Sequence, residues 1–368
     1  MLKILSLSKY DSLGASSRLR MIQYIKSNEF SVFKIILSPL ISNEILKNRY
    51  KNNKYNIIDL TKSYLLRWKV LMSRHNFELI WIEKESLPWM PLWIEKKMLR
   101  NVPYVLDFDD AIFHNYDQHA NSLVRRIFGR RLDNLMSGAA LVVCGNNYLA
   151  ERARMSGARW VEILPTVVDL NRYAIKDYFS TEKKIPIIVW IGSPSTVRYL
   201  MEIKDSLKEL AKTYEFKLRV IGGNLEIQGV NLECIEWTED SEVNLIREAD
   251  IGIMPLSDSD WERGKCGYKI IQYMACGLPV VVSGIGANLE IVQYGKNGLI
   301  ANRPSEWVLE IAKLLKDPLL GGSLGRAGRK SVEEKYNLEK ASPHLSYFLT
   351  QASKKQNFIN IQKNISPR

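Results

Sequence analysis

Short apolar runs alternate along the chain with segments whose apolar residues recur at helical spacing. The runs are too short for helices and are bounded by charged residues, glycine or proline, so each is predicted to be a buried strand. They cover residues 2–7, 77–82, 102–106, 141–144, 187–191, 217–221, 251–255 and 280–282. Helical spacing lies between them, for example over residues 18–25, 120–136 and 268–275. Alternating strands and helices predict an α/β fold with parallel sheets covered on both faces.

The length of the chain predicts two domains. It has 368 residues, of which 46% are hydrophobic, enough for two separate cores. Residues 161–173, VEILPTVVDLNRY, have the pattern of a strand, a proline turn and an exposed acidic residue, which suits a crossing between domains. We therefore predict an N-terminal domain over residues 1–168, a C-terminal domain over residues 169–340, and a helix or tail over residues 341–368 that packs back on the first domain.

Two glycine-containing loops in the C-terminal half are candidate anion sites. The first directly follows the strand at 187–191 and contains Gly192, Ser193, Ser195 and Thr196. Its backbone N–H groups and hydroxyls suit a diphosphate, although an ordinary turn that caps a helix has the same composition. A second loop, residues 264–267, ends at Gly267 and favours the diphosphate, because ligands bind where such loops meet at the carboxyl ends of parallel strands. The nearby cations are Arg198, Lys265 and Lys269; we rank Lys265 first, and Lys269 is alternatively a solvent-facing side chain.

The segment from residue 249 to 300 carries a family resemblance. Its run YMACGLPVV, at residues 273–281, resembles the donor-binding signature of retaining glycosyltransferases of the GT4 type. That signature has two glutamates separated by seven positions, and they fall here on Gly264 and Gln272. The resemblance assigns Gln272 to a ribose diol and Glu290 to the donor, whereas Glu290 is alternatively an acidic residue at a helix start. Pro165, Val168 and Asp169 also match the link between the two halves of such enzymes.

The resemblance extends to the first loop of the chain. Gly14, Ser17 and Arg18 follow the first strand, where the family's N-terminal glycine loop approaches the donor phosphates across a cleft. Gly14 has the conformational freedom for such an approach, and Ser17 and Arg18 have the groups to contact an anion. The alternative is a plain turn with a solvent-facing arginine.

A cluster of three aspartates, Asp107, Asp109 and Asp110, ends the strand at 102–106. Carboxylates so close repel one another, so one should have a raised pKa unless a cation offsets the charge. A metal-binding pair, an acceptor or catalytic site, and a helix cap are three interpretations. In the family resemblance, Asp109 falls where many relatives carry a histidine. We favour acceptor positioning by Asp109 and Asp110, with His114 as a neighbour and no metal.

Net positive charge is concentrated in the first half. Residues 1–165 hold 25 Lys and Arg against 15 Asp and Glu, whereas residues 166–368 hold 27 against 25. The predicted helix at 120–136 has a basic face of Arg125, Arg126, Arg130 and Arg131. Between residues 62 and 100, basic side chains are interleaved with Trp68, Trp81, Trp89 and Trp93. This pattern suits the surface of an anionic membrane, and equally a solvated helix face with core tryptophans.

The compartment follows from what the sequence lacks. No run of eighteen apolar residues and no secretory signal occurs, so we expect a cytoplasmic protein, peripheral at the inner membrane face. Four cysteines without a paired motif predict neither a zinc site nor a disulfide framework.

The resemblance implies the GT-B fold, two Rossmann-like domains facing a central cleft. It also implies sugar transfer from a nucleotide-diphosphate donor to an acceptor hydroxyl with retention, in the synthesis of a cell-surface polysaccharide or lipopolysaccharide. The expected partners are the nucleotide sugar, as substrate, and a saccharide or lipid-linked saccharide; no cofactor, metal or nucleic acid is expected. The alternatives are a sugar-nucleotide epimerase of the same fold, a nucleic-acid-binding protein that uses the basic half, and a non-catalytic binding subunit.

Overall fold

The computed structural model describes residues 1–176 and 185–365, with side chains as far as residue 354. These residues form two compact units, each built on its own sheet. Unit 1 consists of Met1–Thr166 together with the segment that begins at Ala341, and unit 2 consists of Val167–Lys340.

The sheet of unit 1 has six parallel strands in the order β2-β1-β3-β4-β5-β6. The strands are β1 Leu2–Tyr10, β2 Phe33–Ile41, β3 Leu79–Glu83, β4 Tyr104–Phe108, β5 Leu141–Cys144 and β6 Val161–Ile163. The central strands β3, β4 and β5 are buried along their whole length. Continuous apolar runs are the pattern expected of strands covered on both faces, so this part of the sequence prediction is confirmed.

Helices surround this sheet. They are α1 Ala15–Ser17, α2 Gln23–Ile25, α3 Asn43–Asn52, α4 Ile57–Met72, α5 Leu92–Leu99, α6 His114–Asp117, α7 Ser122–Phe128, α8 Arg131–Met136 and α9 Asn147–Met155. A π-helical turn, Arg18–Ile22, joins α1 to α2. The last helix, α18 Leu338–Ile365, runs from unit 2 into the terminal segment of unit 1, where the rings of Phe348 and Trp160 lie 6.0 Å apart.

The sheet of unit 2 also has six parallel strands, in the order β12-β11-β10-β7-β8-β9. They are β7 Ile187–Ile191, β8 Lys217–Ile221, β9 Asn231–Ile235, β10 Ile251–Met254, β11 Val280–Val282 and β12 Leu299–Ile300. The helices are α10 Val197–Glu202, α11 Lys204–Ala211, α12 Glu242–Arg247, α13 Asp260–Arg263, α14 Tyr268–Ala275, α15 Ala287–Ile291, α16 Pro304–Lys316 and α17 Pro318–Lys335. Two apolar cores cover the two faces of the sheet.

The predicted helix over residues 120–136 is wrong. The chain forms two helices, α7 and α8, separated at Gly129 and Arg130. Arg131 consequently points into unit 1, where it is buried and pairs with Glu85 and Glu95. Its charge is therefore removed from the basic surface that the sequence predicted.

The four tryptophans between residues 62 and 100 divide between the two interpretations. Trp81 lies on β3 and is fully buried, as expected of a core residue. Trp68, Trp89 and Trp93 are exposed, so the membrane interpretation survives for these three alone.

Candidate functional site

The carboxyl edge of the unit 2 sheet brings the Gly192 loop against helix α14. A Cβ atom at Gly192 would lie 2.6 Å from Thr196 Oγ1 and 2.7 Å from Lys269 Nζ, so a side chain there would force these groups to move. Glycine therefore allows the loop that follows β7 to approach the ammonium group of Lys269 closely.

Gly267 at the start of α14 and Tyr273 near its end determine where this helix lies. Gly267 has the left-handed φ of 64°, and a Cβ there would lie 2.4 Å from Ile291 Cδ1. At the other end of the helix, the Tyr273 hydroxyl accepts a hydrogen bond from the Ile191 N–H at 3.0 Å, and it contacts the Ile253 carbonyl at 3.4 Å. These bonds hold α14 against β7 and β10, so that its N-terminus, with the positive end of its dipole, lies above the sheet edge.

Lys269 lies at this edge and has a strongly lowered pKa. Its Nζ lies 4.1 Å from the centre of the Trp190 ring. Burial, and to a smaller extent the charge of Lys265, lower the pKa of Lys269 to about 7. Two ammonium groups that repel one another beside a glycine loop form an environment suited to an anion. Lys269 is partly exposed, but its position over the Trp190 ring favours the anion site over a fully solvent-facing side chain.

Arg198 is placed at the same edge but is partly engaged. Its guanidinium donates to the Tyr199 hydroxyl at 2.9 Å and lies 3.4 Å from Glu262. Glu262 is buried and also accepts from Tyr199 at 2.5 Å and from the Ser259 hydroxyl. Arg198 itself stays two-thirds exposed, so its remaining N–H groups face solvent. The pattern of the sequence did not single out Tyr199, because its role depends on this tertiary contact.

The remaining predicted donor residues lie on the same unit in different environments. Gln272 is buried, and its Nε2 donates to the Tyr173 hydroxyl at 3.0 Å. The Ser193 and Ser195 hydroxyls are 3.0 Å apart, and the Thr196 hydroxyl donates to the Ser193 carbonyl at 2.9 Å, which stabilises the turn. Glu290 is an exposed residue of the short helix α15. The assignment of these residues to a donor stays a prediction.

The first loop of unit 1 is more structural than the sequence predicted. Helix α1 starts at Ala15 and ends at Ser17, the π-helical turn begins at Arg18, and the side chains of Ser17 and Arg18 are buried. The Ser17 hydroxyl donates to Glu83 at 2.5 Å and accepts from the Tyr10 N–H at 2.9 Å, which favours a structural role over contact with an anion. Arg18 donates to the Ser12 carbonyl at 3.1 Å. A Cβ at Gly14 would overlap the Tyr10 side chain, at 2.3 Å, so this glycine is needed for the close approach.

The aspartate cluster lies at the carboxyl edge of the unit 1 sheet and is neutralised by two buried cations. Asp107 pairs with Arg20 at 2.7 Å, and Asp109 pairs with Lys84 at 2.7 Å. Asp110 lies 3.8 Å from Lys84. Sequence reasoning missed Lys84, although the charged run Glu83, Lys84, Glu85 directly follows a buried strand and could have indicated it.

The pKa values of Asp107 and Asp109 are shifted in opposite directions. Burial raises the pKa of Asp107, and Arg20 offsets only part of that effect. Burial would also raise the pKa of Asp109, but the charge and hydrogen bond of Lys84 outweigh it and lower that pKa. The predicted neighbour His114 bonds through its two ring nitrogens to Asp117 and to the Tyr148 hydroxyl, each at 2.8 Å. Within residues 1–176 and 185–354, no group of three or more His, Cys, Asp or Glu side chains is placed to hold a metal ion.

Comparison with known proteins gives the sheet edge of unit 2 a context. Residues 185–317 match the glycosyl transferases group 1 family. This group 1 domain lies entirely inside unit 2 and contains the Gly192 loop, Lys265, Lys269 and Gln272. It covers less than half of the chain.

Two relatives of known activity match part of the chain. An N-acetyl-alpha-D-glucosaminyl L-malate synthase of Bacillus anthracis is 24% identical over 177 residues, which is 45% of each protein. A D-inositol 3-phosphate glycosyltransferase of Pseudarthrobacter chlorophenolicus is 27% identical over 123 residues, 33% of this chain and 28% of that protein. The chain thus matches less than half the length of either relative.

The likeness in structure extends further than the likeness in sequence. HepE of Anabaena, solved with UDP and glucose, superimposes with a TM-score of 0.72 over 95% of this chain and 100% of that one, at 16% identity. Together with the two six-stranded parallel sheets, this likeness confirms the predicted α/β fold of the GT-B type with two Rossmann-like domains.

Proposed function

We propose that this protein is a retaining glycosyltransferase that moves a sugar from a nucleotide-diphosphate donor to an acceptor hydroxyl. The observation that carries the proposal is the meeting of the Gly192 loop with Lys269 and Lys265 at the start of α14. Loop N–H groups, a helix dipole and two repelling cations converge there, and a diphosphate would satisfy all three. The group 1 domain over residues 185–317 supports the same conclusion.

The proposed chemistry breaks the bond between the anomeric carbon of the sugar and the diphosphate oxygen. The acceptor oxygen forms the new bond on the same face, and its proton passes to the departing diphosphate oxygen. Lys265 and Lys269 stabilise the negative charge that grows on this leaving group, and Asp109 and Asp110 orient the acceptor hydroxyl. No enzyme carboxylate attacks the sugar, and no metal or cofactor is required.

The donor proposal starts from uridine nucleotides. HepE, the similar structure, was solved with UDP and glucose, which makes UDP-sugars the first donors to test. Gln272 and Glu290 are proposed to contact the nucleoside and the sugar, as the resemblance of the sequence implies.

The acceptor proposal is a lipid-linked saccharide at an anionic membrane, in the synthesis of a cell-surface polysaccharide. Helix α4 exposes about two-thirds of Leu65 and Leu66, and the adjacent helix α5 exposes about two-thirds of Trp93. Lysines are interleaved with these apolar side chains and are exposed as well: Lys62, Lys69, Lys96 and Lys97. Apolar side chains with surrounding lysines suit the headgroup region of an anionic bilayer. None of the helices is long and apolar enough to span a membrane over the part of the chain that the structure describes.

Donor binding and transfer are tested separately. Thermal unfolding of the purified chain against a panel of sugar nucleotides should show a rise in Tm with one donor, because a ligand that binds only the folded state stabilises it. Product analysis with that donor and a saccharide acceptor should give an α- or β-linkage that matches the donor. Conversion of the donor without any acceptor would indicate the epimerase instead, and binding without turnover would indicate the non-catalytic subunit.

Lys265→Ala tests the phosphate site directly. Loss of an electrostatic partner for the leaving group should lower kcat by at least about tenfold, with an unchanged Tm in the absence of donor. Activity near that of the wild type would remove Lys265 from the phosphate site.

A further inference from the structure

The carboxyl edge of the unit 1 sheet contains a lysine that the proposed mechanism does not yet use. Lys84 directly follows β3, and its ammonium lies 2.7 Å from Asp109 Oδ1 and 3.1 Å from the Ser16 hydroxyl. Asp110 Oδ2 and Glu83 Oε1 lie 3.8 Å and 3.9 Å from the same nitrogen. One cation thus faces three carboxylates.

The cluster is graded from the interior to the solvent. The side chains of Glu83 and Lys84 are 0% and 6% exposed, whereas those of Asp109 and Asp110 are 12% and 29% exposed. The two aspartates therefore form the accessible face, and Lys84 lies behind them. A molecule that approaches this edge would meet the carboxylates of Asp109 and Asp110, which Lys84 contacts from the interior.

The backbone at Lys84 is in an uncommon conformation. Its φ is 63°, in the left-handed region that favours glycine, although lysine occupies the position. The turn points the side chain toward Asp109 instead of continuing the alternation of the strand. A strained backbone at a sheet edge is consistent with a side chain retained for a function.

One buried oxygen of Glu83 is a second sign that this cluster has a function. Its Oε2 accepts from the Lys9 N–H and from Ser17, but its Oε1 accepts no hydrogen bond from the described residues, although it is fully buried. Most buried polar atoms in folded proteins have a hydrogen-bond partner, so an exception such as this oxygen needs an explanation. This oxygen lies on the Lys84 side of the carboxyl group.

We propose that Lys84 is a positioning residue for the acceptor: it fixes the Asp109 carboxylate so that Asp109 receives the hydrogen bond of the acceptor hydroxyl. This inference rests on the proposed transfer reaction. Lys84 contacts neither donor nor acceptor in this role and acts through Asp109.

The experiment is a double-mutant cycle on the full chain, with Lys84→Met, Asp109→Asn and the pair combined. Each single variant should lower kcat/KM for the acceptor by about a hundredfold, since small errors of placement have effects of this size. The combined variant should be no slower than Asp109→Asn, because residues that act through one another are not additive. The Tm shift produced by the donor should stay as in the wild type in all three.

Stability is separated from positioning in the same set. Lys84→Met should lower Tm, because it leaves buried carboxylates without their cation. Adding Asp109→Asn removes the negative charge closest to the missing ammonium and should restore much of the lost Tm. A restored Tm with transfer still lost supports positioning. A combined variant with wild-type transfer would overturn the proposal, as would Lys84→Met alone with an unchanged kcat/KM.

Asn101→Gly is the matched control for the backbone. Asn101 is exposed and has a left-handed φ of 70°, so glycine relieves the same strain there as in Lys84→Gly. We expect Asn101→Gly to keep full activity and Lys84→Gly to lose it; equal activity in both would refute a role for the lysine side chain. If the wild type transfers no sugar from any donor, the proposed function fails and this inference fails with it, whereas transfer that tolerates Lys84→Met refutes this inference alone.

Discussion

Lys269 links the stability of the fold to pH. Its pKa is about 7 in the folded chain, against an ordinary value of 10.5, because the protein buries its ammonium. The folded chain therefore binds fewer protons than the unfolded chain between pH 7 and 10.5, and this residue makes stability rise with pH across that window. Below pH 7 the buried charge destabilises the fold to its full extent.

Lys269→Met should consequently stabilise the free protein. The increase in Tm is expected to be largest below pH 7 and to shrink as the pH approaches 10.5, since the unfolded lysine then loses its proton as well. Calorimetry across this pH range measures it, with Lys330→Met, an exposed lysine of the same unit, as control. An unchanged or lower Tm at pH 6 would contradict the buried position of Lys269.

If Lys269 binds the donor diphosphate as proposed, donor binding should depend on pH. A bound diphosphate raises the pKa of Lys269, so binding takes up a proton above pH 7 and affinity should fall as the pH rises from 7 to 9. In Lys269→Met the affinity should be weaker throughout, and this fall should disappear. Titration calorimetry with the donor in buffers of different ionisation enthalpy counts the proton; equal pH profiles for both proteins would exclude Lys269 from the phosphate site.

The sequence placed Lys265 and Lys269 beside a glycine loop and ranked Lys265 first, and that ranking stays a prediction. The direction of each side chain depends on how α14 is held, and the Tyr273 contacts with Ile191 and Ile253 that hold it join residues distant in sequence. Lys84 was missed for a related reason. Its left-handed backbone places it against Asp109, and propensity does not predict that conformation for a lysine.

At the scale of the elements, prediction succeeded where burial was uniform. The strands Leu141–Cys144, Ile187–Ile191 and Lys217–Ile221 and the helix Tyr268–Ala275 have the bounds that the sequence predicted. It failed for β2, which contains Pro39 and was not predicted at all. Because β2 is an edge strand, proline is tolerated there, and the pattern of a central strand is absent.

The exposed face of α4 separates surface function from stability. Leu65→Ser combined with Leu66→Ser should change the free energy of unfolding by no more than about 1 kcal/mol, because both side chains are already about two-thirds exposed. The same variant should sediment less with vesicles of anionic phosphatidylglycerol at low salt. Leu319→Ser, on an exposed leucine of unit 2, is the control. Equal sedimentation of all three proteins, or none by the wild type, would refute the membrane proposal.

At the scale of the whole molecule, the residues proposed to bind the donor and those proposed to bind the acceptor lie in different units. Unit 2 contains the loops proposed to bind the donor and the group 1 domain, and unit 1 contains the aspartate cluster and the helices α4 and α5 with their exposed lysines and apolar side chains. The sequence could predict this division, because strand runs recur in both halves and net positive charge is concentrated in the first.

Hydrogen exchange of the full chain with and without donor measures this division. We expect a sugar nucleotide to slow exchange at the Gly192 loop and at the start of α14, because it satisfies backbone N–H groups there. If the two domains face a cleft as the sequence resemblance implies, Gly14 and its neighbours should be protected in the same experiment, whereas α4 should not change. Protection confined to unit 2 would support the donor site and reject a contribution of the first loop. Protection of unit 1 alone would contradict the assignment of the donor to the group 1 domain.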